Sequence, residues 1–232
     1  MVGAKMTLSE AIDRVNAAFF WDERPPADAR TRLLEAILAS HAKPGAYVNT
    51  FALSPEEMKL GWTIFTGERA TSASARHVAA EEACRALRLL GRLDRPGKIA
   101  LEQSTAALQQ CLTRAEQATD HRMGGSAGLF CCGRCTVSVW RHILAGGFDR
   151  RPERLQAGVK ALKRFRDGAG KWQYFPFWYT VSALAEMDAE IARAEIRFVA
   201  KPLERAAAKK AARTEYDRRR TEVARRALAK LI

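Results

Sequence analysis

Residues 72–90 read Ser-Ala-Ser-Ala-Arg-His-Val-Ala-Ala-Glu-Glu-Ala-Cys-Arg-Ala-Leu-Arg-Leu-Leu, and Gly91 follows. Ala80, Cys84 and Leu87, with Ala83 and Leu90, recur at intervals of three and four, the spacing that puts one apolar stripe on a helix. Gly91 suits the left-handed residue that closes a helix. Working outward, Leu33, Leu34, Ile37 and Leu38 repeat the spacing, as do Leu101, Thr105, Leu108 and Leu112, and later Leu155, Val159 and Leu162. Thr7-Leu-Ser-Glu10 and Ser54-Pro55-Glu56-Glu57 match the capping box, the second with Pro at the first helical position. They predict helices to about Phe20 and about Phe65. Pro96-Gly97 predicts a turn, and Val137–Ala145 a helix broken by Gly146-Gly147. No stretch alternates apolar and polar residues over a strand's length, so no strand is expected. The predicted fold is all-α, built of stacked antiparallel helix hairpins. Residues 1–202 form the hairpin domain and 203–232 a basic C-terminal helix.

The chain has 232 residues, 47% apolar and 28% charged, which describes a globular protein with room for one large core. No apolar run approaches the roughly 18 residues of a membrane span; Arg141, Lys160 and Glu186 interrupt the most apolar stretches. Residues 1–10 lack the charged-then-apolar pattern of a secretory signal, so a cytoplasmic location with reduced thiols is expected. Five Cys is an odd number, against a closed disulfide framework. A Gly-rich phosphate loop, a Gly-x-Ser-x-Gly elbow and a paired-carboxylate motif are all missing, which disfavours nucleotide and serine hydrolysis.

Cys131-Cys132-Gly133-Arg134-Cys135 is the most chemical stretch. It follows a Gly-rich loop and opens the helix carrying Trp140 and His142. A helix N-terminus and Arg134 both favour a thiolate. Three readings stand side by side. A zinc site would use Cys131, Cys132, Cys135 and His142, with His121 a further candidate, since these ligands have the right softness. A redox dithiol would use Cys132 and Cys135. The third takes the cysteines as small buried residues. Arg141 and His142 have another possible use, pairing with Glu81 or Glu82 inside the hairpin bundle. His77 and Glu81, four apart, share one helix face, where a surface or capping role is expected.

Trp172, Tyr174, Phe175, Phe177, Trp178 and Tyr179 place six aromatics within eight residues, a packing centre or a pocket wall. Around them the chain reads Asp167-Gly168-Ala169-Gly170-Lys171-Trp172 and then Thr180-Val-Ser-Ala183-Leu184. This resembles one repeat of the prenyltransferase and squalene-cyclase superfamily, in which helix hairpins end in a Gly-x-Trp turn followed by a Thr-x-x-Ala-Leu helix. The resemblance covers residues 150–188. It implies an α/α toroid or partial toroid around a cavity that holds an apolar ligand. The Asp-rich cyclase acid motif and the Asp-x-Cys zinc motif of that superfamily are missing.

Residues 200–232 hold eleven Lys or Arg against four Asp or Glu, out of a net charge of +13 for the chain. Such a helix can lie along a phosphate backbone, or it can simply be solvated.

The leading expectation is a helical-repeat binding protein for an apolar ligand or partner peptide. Its site lies where 131–142 faces 172–179, lined by Trp140, Trp172, Tyr174, Phe175, Phe177, Trp178 and Tyr179. A thiol- or zinc-dependent enzyme using Cys132, Cys135 and His142 is the alternative. Nucleic-acid binding through the basic C-terminal helix is the third.

Overall fold

The computed structural model describes residues 6–118, 123 and 125–232. Among these it is predominantly helical, with eleven α-helices and one two-stranded ribbon. The helices are α1 (Leu8–Phe20), α2 (Ala27–Leu38), α3 (Pro55–Leu60), α4 (Ser72–Leu90), α5 (Arg95–Gln117), α6 (Gly133–Leu144), α7 (Arg151–Leu162), α8 (Phe177–Glu186), α9 (Ala189–Phe198), α10 (Ala200–Ala207) and α11 (Glu215–Ala229). Sequence neighbours pair as hairpins: α1 packs on α2, α8 on α9 and α10 on α11. No described helix is long and apolar enough to cross a membrane.

The chain divides into two compact units, on lines other than a break at residue 202. The first comprises 1–65, 69–113 and 141–149; the second comprises 66–68, 114–140 and 150–232. In the first, α1 and α2 pack on α4, the stretch read first from the sequence. Ile12, Ile37, Val78 and Leu87 are all fully buried there. Fully burying each such side chain stabilises by roughly 1.5–3 kcal/mol. Both capping boxes form, at Thr7 with Glu10 and at Ser54 with Glu57. The second oxygen of Glu57 also accepts the Ser9 amide at 2.9 Å, tying the starts of α1 and α3 together.

Three expectations are corrected in this unit. Helix α3 stops at Leu60 rather than near Phe65, because Gly61 takes φ +75°. The chain then forms a ribbon, β1 (Trp62–Thr63) antiparallel to β2 (Arg69–Ala70), where no strand was expected. Its strands are too short to show a period. Pro96-Gly97 is not a turn: both lie in the first turn of α5, since Asp94 Oδ1 accepts the Gly97 amide at 2.8 Å and caps the helix. Proline costs nothing at a position whose N–H lacks an intrahelical partner.

In the second unit α7 packs on α9, and α8 on both α9 and α11. Its core contains Trp140, Leu162, Tyr179, Leu184, Ile196 and Leu203. The single basic helix expected over 203–232 is two helices. α10 ends at Ala207, and Thr214 starts α11 by accepting the Asp217 amide at 3.1 Å. Folding back lets Leu203 and Ala206 be buried together with Val223, Ala224 and Ala227. One unbroken helix would leave that thin stripe in water.

Candidate thiolate centre

Helix α6 starts at Gly133, four residues earlier than expected, so Cys132 stands at its N-cap. The Cys132 Sγ accepts the Cys135 amide at 3.5 Å, a sulfur in the place usually taken by a Ser or Asp oxygen. One turn further, Cys135 is buried, while Cys131 and Cys132 are half-buried. The three sulfurs lie within 4.8 Å of one another. Hydrogen bonds from the Cys131 and Cys135 thiols hold the Cys132 thiol well below its ordinary range, and the Cys135 and Arg134 amides add to this. As the donors, its partners move the other way. The bond to Cys132 pushes Cys131 up to about 11, and the bonds to both neighbours, with burial, push Cys135 up further. The cluster therefore favours one thiolate held by two thiols at a positive helix end.

A cavity of about 500 Å³ opens on this cluster, lined by Cys131, Cys132, Arg134, Glu68, Met123, Tyr174, Phe175 and Pro176. The expected meeting of 131–142 with 172–179 is thus formed around Gly133. A Cβ at Gly133 would run into the Tyr174 carbonyl oxygen and the Phe175 backbone. Only glycine permits so close an approach. Tyr174 itself takes φ +65° and is 63% exposed at the cavity wall. Left-handed backbone on a bulky residue is strained, and strain of this kind gathers at functional sites.

Pro176, the N-cap of α8, has no side-chain oxygen to offer. Glu68 supplies the cap from the β1–β2 loop: its Oε1 accepts the Trp178 and Tyr179 amides at 2.7 and 3.0 Å. Its other oxygen accepts the Thr66 hydroxyl. Sequence reading missed Glu68; the signal available was a helix start at Pro176 that needed an outside acceptor. It also missed Met123 and Pro176 as wall residues.

The loop entering the cluster is anchored from below. Glu116 Oε1 accepts the Gly128 amide at 2.9 Å and Arg154 Nε at 2.9 Å. Trp140 Nε1 donates to the Gly128 carbonyl at 2.7 Å, and its ring stacks on Phe175 at 6.1 Å between centroids. Of the seven aromatics expected to bind ligand, Tyr174 and Phe175 line the cavity. Trp140, Trp172 and Tyr179 are buried in packing, and Trp172 Nε1 donates to Glu195 at 2.9 Å. Phe177 and Trp178 are half-buried, edge to face at 5.0 Å.

His142 does not join the sulfurs. It lies seven residues beyond Cys135 on α6, about 10 Å along the axis. In the first unit its Nδ1 is 2.6 Å from Glu81 Oε2, and Arg88 Nε donates to its Nε2 at 3.3 Å. An acceptor at Nε2 assigns the proton to Nδ1. Arg141 pairs with Glu82 at 2.6 Å, so both carboxylate pairs considered from the sequence are formed. His77 is buried, not on the surface, with Nε2 at 3.2 Å from Glu81 Oε1. Asn16 completes the group, accepting from Arg85 and Arg141 at 3.1 and 2.9 Å. His121 lies outside the described residues. Comparison of the chain with protein-family models, with curated proteins and with solved structures returns no match.

Proposed function

We propose that the second unit is a zinc-dependent centre in which Cys131, Cys132 and Cys135 hold one ion, and that the adjoining cavity presents a small, largely apolar ligand to it. The observation that carries this reading is the grouping of three sulfurs within 4.8 Å, two of them in the wall of a 500 Å³ cavity. A tetrahedral ion with Zn–S bonds of about 2.3 Å sets its sulfurs about 3.8 Å apart, within reach of modest χ1 adjustments. Three protein ligands leave one position open, the pattern of reactive rather than structural zinc sites. Glu68 does not fill that position, since both its oxygens are engaged elsewhere. The open position therefore suits water or the ligand, which the ion would polarise as a Lewis acid. Tyr174, Phe175, Pro176 and Met123 supply apolar walls, and Arg134 supplies one fixed positive charge.

A second reading uses the same atoms. Cys132 at the cavity wall and sealed Cys135 also suit a dithiol, in which the Cys132 thiolate attacks and Cys135 resolves. Native mass spectrometry of protein purified without chelator or reductant separates the two. The zinc reading expects one added zinc mass per chain, lost in Cys132→Ser and in Cys135→Ser. A metal-free chain two hydrogens lighter, with Cys132 bonded to Cys135, establishes the dithiol instead. A bare, fully reduced chain that binds no added zinc refutes both.

A further inference from the structure

We infer that α10 and the loop after it, residues 200–214, form a sequence-independent docking surface for the phosphate backbone of a nucleic-acid duplex. The basic charge of the C-terminal region is not spread evenly once folded. On α11, Arg218 and Arg219 pair with Glu215, and Arg225 and Arg226 pair with Glu222. Arg220 donates to the Thr66 carbonyl at 2.7 Å, and Arg219 is buried. Helix α11 thus sets three carboxylates against its five arginines, and four of those arginines share two of the carboxylates. Residues 200–214 differ. Lys201, Arg205, Lys209, Lys210 and Arg213 are all exposed, against a single acid, Glu204. Among the described residues no ion pair engages the side chains of Lys201, Arg205, Lys210 or Arg213. The Thr214 hydrogen bond lowers the Asp217 pKa, and the charge of Lys209 across the hairpin adds a smaller push in the same direction.

The geometry of this charge selects the partner. Lys201 and Arg205 are four apart on α10, which places these two cations about 6 Å along one helix face, and Lys209 follows just beyond the helix end. Two phosphate steps on one strand of a duplex span about 7 Å. An interfacial helix on an anionic membrane buries a free apolar face beside its cations. Here Leu203, Ala206, Val223, Ala224 and Ala227 are buried. Binding to unpaired bases needs exposed aromatic platforms. From residue 200 to 231 no large apolar side chain is exposed. What remains is exposed positive charge on a polar surface. That matches a regular phosphate array and reads no base.

Fluorescence anisotropy of the full chain with a dye-labelled mixed-sequence DNA duplex of about 20 base pairs tests this. With four to five phosphates neutralised, raising KCl fourfold, from roughly 50 to roughly 200 mM, should weaken binding about 150- to 500-fold. Lys201→Gln/Arg205→Gln/Lys210→Gln should bind at least about tenfold more weakly at low salt. Its loss on adding salt should shrink to about tenfold, the slope of two remaining contacts. All three positions are exposed, and circular dichroism of the variant should match the parent. Arg225→Gln/Arg226→Gln should change affinity by less than about threefold, because those charges are already paired. The inference is overturned by a triple variant that binds like the parent, or by an equal loss in the α11 variant. Capture of phosphatidylserine vesicles in preference to duplex also overturns it.

Discussion

Replacing Glu116 by alanine should unfold the support beneath the thiolate centre. Glu116 is the last acidic residue of α5, and its carboxylate takes three donors: the Gly128 amide, Arg154 Nε at 2.9 Å and Arg154 Nη2 at 3.2 Å. The two side chains are 8% and 2% exposed, so Arg154 has almost no access to water. Deleting the carboxylate removes the counter-charge from a buried guanidinium, which costs about 3–5 kcal/mol. The orphaned Gly128 amide adds about 1 kcal/mol. For a chain of this size each kcal/mol lowers Tm by about 2–4 °C, so a fall of about 10–20 °C is expected. Thermal melts followed by far-ultraviolet circular dichroism measure it. The cost comes mainly from the buried positive charge that has lost its carboxylate, so Glu116→Ala/Arg154→Met should recover a large part of the loss. A Glu116→Ala melt within about 3 °C of the parent would refute the reasoning, as would a double variant no more stable than the single.

Three further outcomes follow from the same geometry. Iodoacetamide at pH 6 should label Cys132 ahead of Cys131 and Cys135, read by peptide mass spectrometry; equal labelling of all three would contradict the thiolate assignment. Because Cys131 and Cys135 are held protonated, zinc uptake must displace about two protons, and apparent affinity should rise about 100-fold per pH unit between roughly pH 6 and 8; a competition titration that is flat in pH argues against three sulfur ligands. In the first unit, burial raises the Glu81 pKa but hydrogen bonds from His142 and His77 outweigh it, leaving the group below its ordinary 4.5. A depressed carboxylate stabilises above its unfolded pKa and is lost as pH falls through the folded value, so Glu81→Gln should lower Tm at neutral pH and flatten the acid limb below about pH 4.5; an unchanged acid limb counts against the hydrogen-bond account.

The helices were legible where composition was periodic. Helix α4 spans Ser72–Leu90 as its stripe predicts, and both capping boxes start helices. Errors gathered where a short-range signal has two meanings. Pro96-Gly97 fits a turn or a first helical turn, and only the Asp94 cap decides between them. The run Ala206–Ala212 favours a continuous helix, yet burying Leu203 and Val223 in one hairpin wins. The cysteine triad was legible because its members are adjacent in sequence; for His142 both a ligand role and a carboxylate partner could be read, but not which of the two forms. Glu68 was not, because nothing in Thr66-Gly67-Glu68 announces that it caps a helix more than a hundred residues later. Long-range polar partners leave no periodic trace.

Cys132 occupies two roles that compete for the same lone pairs. As the N-cap of α6 it accepts the Cys135 amide; as a ligand or nucleophile it must give those electrons to a metal or a carbon. Whatever binds at the sulfur therefore loosens the first turn of the helix. Amide exchange at Cys135 becomes an internal reporter of occupancy, slow while the thiolate is idle and faster once it is engaged. A serine at this position would hold the helix start and lose the chemistry, which separates the two duties of one atom.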